Sequence, residues 1–355
     1  MKRVSYAFFV LLFMLFLTGC SQIGMPGEDM PPNTPESQAP SDNTPDDTPD
    51  STSGKETLSI VCTIFPQYDW VRHIIGNSSG RFELTLLLDN LIDLHSFQPS
   101  FRDIITIGAS DVFIYIGGHS DDWVDDVLSQ ASNPDMVVIN LLEVLGDAVV
   151  TEMEIEGAEH ICDDDCDDHG LGGDIHLHED EHVWLSLRLA KIMCAAITDT
   201  LVMLDPDNEE IYRANLAAYI EKLSALDMEF QAAVDAGSVT TLVFADRFPF
   251  RYLMDDYGLS YYAAFSGCSA ASEASFSTIV FLATRVEELG LNNIMVTESA
   301  DQSIARTVIN STPRRSQQIL VLNAIQSVLR RDVDDGMTYL SIMQDNLSVL
   351  REALE

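Results

Sequence analysis

All eight histidines precede Val183, and five of them fall between His160 and His182. The stretch His160-Ile-Cys162-Asp-Asp-Asp-Cys166-Asp-Asp-His169 continues to His176-Leu-His178-Glu-Asp-Glu-His182. Imidazole, thiolate and carboxylate are the ligand types that borderline cations such as Zn²⁺ choose. Their density in a Gly-rich segment without strand patterning predicts a metal-collecting loop, with His160, Cys162, Cys166, His169, His176 and His178 as its ligands. Cys162 and Cys166 have a second reading, because two nearby thiols outside the cytoplasm can oxidise to a disulfide.

A loop of this kind explains collection better than selective binding, which needs ligands on rigid elements. Two histidines meet that demand. His95, in Asp93-Leu-His95-Ser-Phe97-Gln-Pro99-Ser100, follows a predicted strand and precedes a predicted helix. His182, in Asp180-Glu-His182-Val-Trp184-Leu, stands where the acidic loop gives way to an apolar run. Strand-end loops are where open α/β sheets place their ligands. His119, in Gly117-Gly118-His119, also follows a strand and is a further candidate, although a Gly-Gly turn opening a helix explains it without metal. His73 sits mid-helix beside Ile74 and Ile75 and reads as a packed imidazole.

The elements that must position these residues alternate strand-length apolar runs with helix-period segments, which predicts an α/β protein of mostly parallel sheets flanked by helices. A first set of strands is expected at Thr57 to Thr63, Glu83 to Leu88, Val112 to Ile116 and Met136 to Ile139. Helices should lie between them at Gln67 to Ile75, Ser100 to Ala109 and Asp121 to Ala131. A second set is expected near Thr241 to Phe244, Tyr261 to Ala263, Asn293 to Thr297 and Ile319 to Leu322. Its helices fall near Phe276 to Leu289, Asp301 to Asn310 and Gly336 to Ala353. Between the sets, Asp205-Pro206-Asp207 is a helix-start signal, followed by Ile211, Leu216, Tyr219, Leu223, Leu226 and Phe230 at helical spacing. One long rigid helix joining two lobes is the expectation, with modest closure on binding. The predicted organisation is an N-terminal lobe over 57–204 with the acidic loop at 151–182, a linking helix over 205–236 and a C-terminal lobe over 237–355.

Lys2 and Arg3 precede an apolar run from Tyr6 to Leu17 that ends in Leu17-Thr18-Gly19-Cys20, the layout of a secretory signal over residues 1–19. Leu-Thr-Gly-Cys resembles the bacterial lipobox, which makes Cys20 the expected lipidated first residue of the mature chain. Residues 20–56 are Pro, Ser, Thr, Asp and Asn with few bulky apolar side chains, a composition expected of a disordered tether. The formal charge of −38 argues against nucleic acid as a partner and is compatible with attracting cations, although a solvated acidic surface accounts for most of it.

A set of motifs in chain order carries a resemblance. Thr63-Ile-Phe-Pro66 with Ile74-Ile-Gly76, the His95 motif, Glu181-His182-Val-Trp184-Leu, Asp205-Pro206, Tyr212-Arg-Ala-Asn215, Tyr257-Gly258-Leu259 and Thr338-Tyr339-Leu340-Ser-Ile-Met343 with Asn346-Leu347 resemble the zinc- and manganese-binding receptors of ABC importers. The resemblance implies two α/β lobes joined by a long rigid helix, a metal in the cleft and the permease of an ABC importer as partner. His95 and His182 match the family's ligating histidines. Zinc-binding members usually supply a third histidine after the first strand of the second lobe, and manganese-binding members a glutamate. This chain has Phe244-Ala245-Asp246-Arg247-Phe248-Pro249-Phe250 there, which makes Asp246 the candidate. Where manganese-type members use an aspartate near the last strand-to-helix connection, this chain has Asn323. Glu298, at the end of a predicted strand, and Cys268 are the remaining candidates for the second lobe.

Two imidazoles and a His/Cys-rich loop favour Zn²⁺, whereas a second lobe offering only carboxylates shifts preference toward Mn²⁺ or Fe²⁺. A monomer is expected, held at the membrane by its N-terminal lipid, and no enzymatic activity. The rival of another class is a secreted metallohydrolase. His178-Glu-Asp-Glu-His182 and Gly76-Asn-Ser78-Ser-Gly80 have the His-Glu-x-x-His and Gly-x-Ser-x-Gly spacings, but the first lies in the acidic loop and not on a predicted helix, the second follows a predicted helix instead of joining a strand to one, and there is no dinucleotide fingerprint. A metal-buffering or adhesive surface lipoprotein shares every feature except the importer.

Overall fold

The computed structural model describes residues 57–152, 155–158, 179–267 and 274–355. Within them lie two four-stranded sheets. The first contains β1 (Leu58–Cys62), β2 (Phe82–Leu86), β3 (Val112–Tyr115) and β4 (Val137–Asn140), in the order β2-β1-β3-β4. The second contains β5 (Thr241–Phe244), β6 (Ser260–Ala263), β7 (Asn293–Thr297) and β8 (Gln318–Leu322), in the order β6-β5-β7-β8. Every pairing is parallel, for example Val61 with Thr85 and with Phe113, and Met295 with both Phe244 and Leu320. Parallel neighbours cannot be joined by a tight turn, so the chain crosses over between them on helices. Both sheets reverse direction of growth beside their first strand, and the crevice at the strand ends of such a switch point is where open α/β sheets bind ligands.

The helix Glu209–Ala236 links the two sheets. Its 28 residues extend about 42 Å at ~1.5 Å per residue. Glu209 and Glu210 in its first turn suit the positive end of the helix dipole. Buried Asp205, just before it, accepts from Tyr212 Oη at 2.7 Å and Asn208 Nδ2 at 2.6 Å, fixing the entry. Tyr212, Tyr219, Leu223, Leu226 and Phe230 form the buried face, each contributing roughly 1.5–3 kcal/mol by burial. That face packs in one continuous core that includes Ala190, Met193 and Ile197 of the helix Leu187–Leu204 and residues of both sheets. A shared core around a rigid helix favours small rather than large relative motions of the lobes.

The helix Leu187–Leu204 is absent from the sequence-based expectation. Its buried residues Leu187, Ala190, Met193, Cys194, Ile197 and Leu201 lie on one face, but exposed apolar residues such as Ile192 and Met203 on the other side blur that stripe in the sequence. The helix expected over Asp121 to Ala131 is shorter, Val124–Leu128, because Asp121 belongs to a preceding 3₁₀ turn and its carboxylate folds back onto the end of β3.

Cys62 and Cys194 are free, fully buried thiols whose pKa burial pushes up, which makes them packing residues. Among the described residues no helix is long and apolar enough to cross a membrane. Cys20, the tether, the loop ligands His160, Cys162, Cys166, His169, His176 and His178, and Cys268 lie outside the described residues.

Candidate metal centre

His95 and His182 come together although they are far apart in sequence. Their rings lie 5.3 Å apart, centroid to centroid. The same local device sets each one: an aspartate two residues earlier accepts the histidine's own backbone N–H. Asp93 Oδ1 accepts from His95 N at 3.0 Å, and Asp180 Oδ1 accepts from His182 N at 3.0 Å. This Asx-type turn holds the backbone in a shape that presents the following imidazole.

The remaining ring contacts fix which nitrogen carries the proton. His182 Nδ1 lies 2.8 Å from Asp180 Oδ1, and a carboxylate can only accept, so Nδ1–H donates. His95 Nδ1 lies 2.6 Å from Ser120 Oγ. Across the site, the carboxamide nitrogen of Gln326 lies 3.2 Å from His95 Nε2 and 3.0 Å from His182 Nε2. An amide nitrogen can only donate, so both Nε2 atoms are acceptors with lone pairs aimed at one point. Neutral imidazoles with Nδ1 occupied and Nε2 lone pairs convergent are the state in which histidine binds a metal.

Three acids back the two rings. Asp180 and Glu181 are buried, and Glu181 Oε1 accepts from Ser120 N at 2.7 Å while its Oε2 lies 3.9 Å from His95 Nδ1. Asp121 Oδ2 accepts from Ile116 N at 3.1 Å and Gly117 N at 2.9 Å. Burial pushes the Asp121 carboxyl up to about 7, and the Glu181 charge acts in the same direction. Gly118 makes this packing possible. Its φ is +79°, and a Cβ there would stand 2.6 Å from Glu181 Cγ.

Two backbone bonds and one ion pair tie the His95 loop to segments that follow strands β5 and β8. Leu91 N donates to Val328 O at 3.1 Å, Arg330 N donates to Asp89 O at 2.7 Å, and Arg247 Nη1 meets Asp93 Oδ2 at 3.0 Å. The other candidates stand elsewhere. His119 Nδ1 pairs with Asp122 Oδ2 at 2.7 Å on the surface, while its neighbour Ser120 reaches His95. Asp246 accepts from the backbone and hydroxyl of Thr297. Glu298 accepts from Ala324 N at 2.8 Å and from the Gln326 backbone, and burial raises its pKa. Among the described residues no three His, Cys, Asp or Glu side chains gather to hold an ion, so the structure joins His95 with His182 but brings none of those three into the pair.

The two parallel sheets and the facing histidines on their Asp-x-His turns are in keeping with the sequence motifs. The family model described as zinc-uptake complex component A, periplasmic, matches residues 60–353. The chain belongs to this family. It is 29% identical over 299 residues to the zinc-binding lipoprotein AdcA of Streptococcus pneumoniae, covering 84% of this chain and 56% of that protein. It therefore spans little more than half the length of that relative. The high-affinity zinc uptake system protein ZnuA of Bacillus subtilis is 27% identical, with 84% of this chain and 88% of that protein covered. The crystal structure of the Zn(II)-bound ZnuA-like domain of S. pneumoniae AdcA superposes with a TM-score of 0.64 at 28% identity, covering 84% of this chain and 99% of that one.

Sequence reasoning reached the two histidines but missed Ser120, Asp180, Glu181 and Gln326. The repeated Asp-x-His spacing could have pointed to Asp180. An uncharged Gln326 in Asn323-Ala-Ile-Gln326 carries no signal until the two sheets are brought face to face.

Proposed function

We propose that this chain is an extracytoplasmic receptor that captures Zn²⁺ between its lobes and delivers it to the permease of an ABC importer. The observation that carries the reading is the convergence of His95 Nε2 and His182 Nε2 on one point, with both Nδ1 atoms held from behind. Family membership and the zinc-binding relatives support the choice of metal and the uptake role. Cys20 is the proposed lipid anchor, residues 21–56 the tether, and the His/Cys-rich loop a gatherer of weaker equivalents that feeds the cleft. The shared core about the linking helix suits a receptor that binds with little closure.

Metal analysis of protein purified without added metal, followed by competitive titration of zinc against manganese, tests the reading. One tight equivalent is expected, with zinc preferred. Replacing both His95 and His182 by Ala should abolish it, and retention of a tight equivalent in that variant would overturn the site. Manganese or iron remains the alternative cargo, favoured by the second lobe's lack of any histidine. Growth of a deletion strain in metal-starved medium separates receptor from buffer, because only loss of uptake is rescued by added metal.

A further inference from the structure

The geometry points to Arg247 as a positioning residue that makes the setting of His95 depend on the separation of the lobes: its ion pair with Asp93 joins the second lobe to the turn that presents a first-lobe imidazole. This inference rests on the proposed zinc site. It gives Arg247 a part in retaining and releasing the ion, although a guanidinium has no lone pair with which to ligate one.

The two Asp-x-His turns share a backbone bond but differ in what the rest of the carboxylate does. Asp180 Oδ1 also takes the ring Nδ1–H of His182. The His95 ring meets Ser120 Oγ instead, and Asp93 Oδ2 is engaged by Arg247 Nη1 at 3.0 Å. One carboxylate therefore holds the His95 backbone with one oxygen and the second lobe with the other. The side chains of Arg247 and Asp93 are 27% and 32% exposed, so water and salt screen the pair only in part.

The guanidinium is aimed from a backbone fixed on both sides. Before it, Asp246 accepts from Thr297 N at 2.9 Å and from the Thr297 hydroxyl, which ties the segment after β5 to the end of β7. After it, Phe248 bridges to Gly267 and stacks on Tyr261 with ring centroids 3.9 Å apart. The partner is less constrained. A carboxylate turns readily about its last torsion, which is broad, so Asp93 keeps one oxygen on His95 N most firmly while Arg247 holds the other. Parting of the lobes at this point would remove Arg247, free the carboxylate to rotate and slacken the turn beneath His95. The same charge pair thus steadies the imidazole when the lobes are together and loosens it when they separate.

The test uses the full mature chain and two readouts, the first without metal. In metal-free Arg247→Gln, amide hydrogen exchange over residues 89–97 should quicken about 5-fold, while that over residues 180–185 stays as in the wild type. Zinc release into excess chelator should quicken by a similar factor, and association should not slow. Arg247→Lys keeps the charge and should restore most of both rates. Asp93→Asn keeps an oxygen for His95 N and drops the charge, so adding Arg247→Gln to it should change little further. If exchange over residues 89–97 is the same in Arg247→Gln as in the wild type, the pair is a surface contact and the inference falls, whatever the protein binds. If exchange quickens but zinc release does not, while His95→Ala and His182→Ala lose the tight equivalent, Arg247 is structural only and the zinc site stands. If the histidine variants keep the tight equivalent, the zinc reading falls and this role with it.

Discussion

The indole of Trp184 donates to the carbonyl of Ala324 at 2.8 Å, a bond between buried groups that pins the loop carrying His182 to the loop carrying Gln326. The same ring lies 5.2 Å from the imidazole of His182. Trp184→Phe keeps most of the packing but orphans the carbonyl, which should lower stability by about 1–3 kcal/mol. Urea unfolding should show a lower midpoint at unchanged slope. Because the indole borders the proposed metal site, zinc should alter wild-type Trp fluorescence, and most of that response should vanish in the variant.

In the proposed site Asp180 would act on the metal only through His182, by fixing Nδ1–H and the ring plane. Loss of such a partner typically weakens metal binding 10- to 100-fold. Asp180→Ala should therefore bind zinc about 10-fold or more weakly at unchanged stoichiometry, as read by competition against a chromophoric chelator. Equal affinity in wild type and variant would mean that the ring is oriented by its burial alone.

Asp69 ties the first lobe to the last helix. Its carboxylate is fully buried, accepts from Tyr339 N at 2.8 Å and Arg72 Nη2 at 2.6 Å, and lies 3.4 Å from His73 Nδ1. Burial raises its pKa, and the charges of His73 and Arg72 oppose that rise. Asp69→Ala strands a backbone donor at the start of the helix Tyr339–Ala353 and a guanidinium with one partner fewer. The expected cost is about 3 kcal/mol. Asp69→Asn should cost less, and a thermal melt of the two variants beside the wild type checks the order.

Asp121 gives the fold a pH dependence of definite sign. Its carboxyl is pushed up to about 7 in the fold, chiefly by burial, against an ordinary value of 3.8. A carboxyl raised in the folded state binds its proton more tightly there, so stability falls as pH rises from 3.8 through about 7 and levels off above. Between pH 5.5 and 8 this group alone should remove about 2 kcal/mol. Asp121→Asn keeps an oxygen for Ile116 N and Gly117 N and should flatten that part of the profile. Denaturation midpoints at the two pH values, wild type against variant, isolate it from other buried acids such as Glu298 and Asp256.

Strands were legible where β-branched and apolar residues stand in short runs between turn residues. β5 and β7 match their expected bounds to the residue, and the other strands differ by a residue or two at their ends. The two histidines were legible because each follows an aspartate on a loop beside a regular element. The second-lobe group that meets the two imidazoles was not legible. Sequence chemistry directs attention to carboxylates and thiols, yet Asp246 and Glu298 are occupied as backbone acceptors, and the group that faces the imidazoles is a neutral amide. Its selection depends on how two loops, 144 residues apart, are set against each other by the Trp184 bond and the Glu298 cradle.

The last prediction separates the cleft from the acidic segment, and the structure determines where the cut must fall. Thr151 forms an antiparallel bridge with Glu179, and Asp180 N donates to Val150 O at 2.8 Å, so residues 179–182 belong to the folded site rather than to the collecting loop. The expected loop of 151–182 therefore includes at its end the aspartate that holds His182. Deletion of Glu159 to His178 should leave one tight zinc equivalent and remove the weaker ones, because His95, His182, Asp180 and Gln326 all remain. Gathering a Gly-rich segment around an ion costs conformational entropy, which should make the proposed loop equivalents weaker than the cleft's. Those weaker equivalents should fade further as pH falls toward the ~6.5 of an unperturbed imidazole, where protons compete for the nitrogen lone pairs. A second deletion extended through Asp180 should weaken the tight equivalent as Asp180→Ala does. Calorimetry on the intact chain and both deletions at two pH values measures this. If the shorter deletion removes the tightest equivalent and spares weak ones, the principal site is the loop and not the cleft.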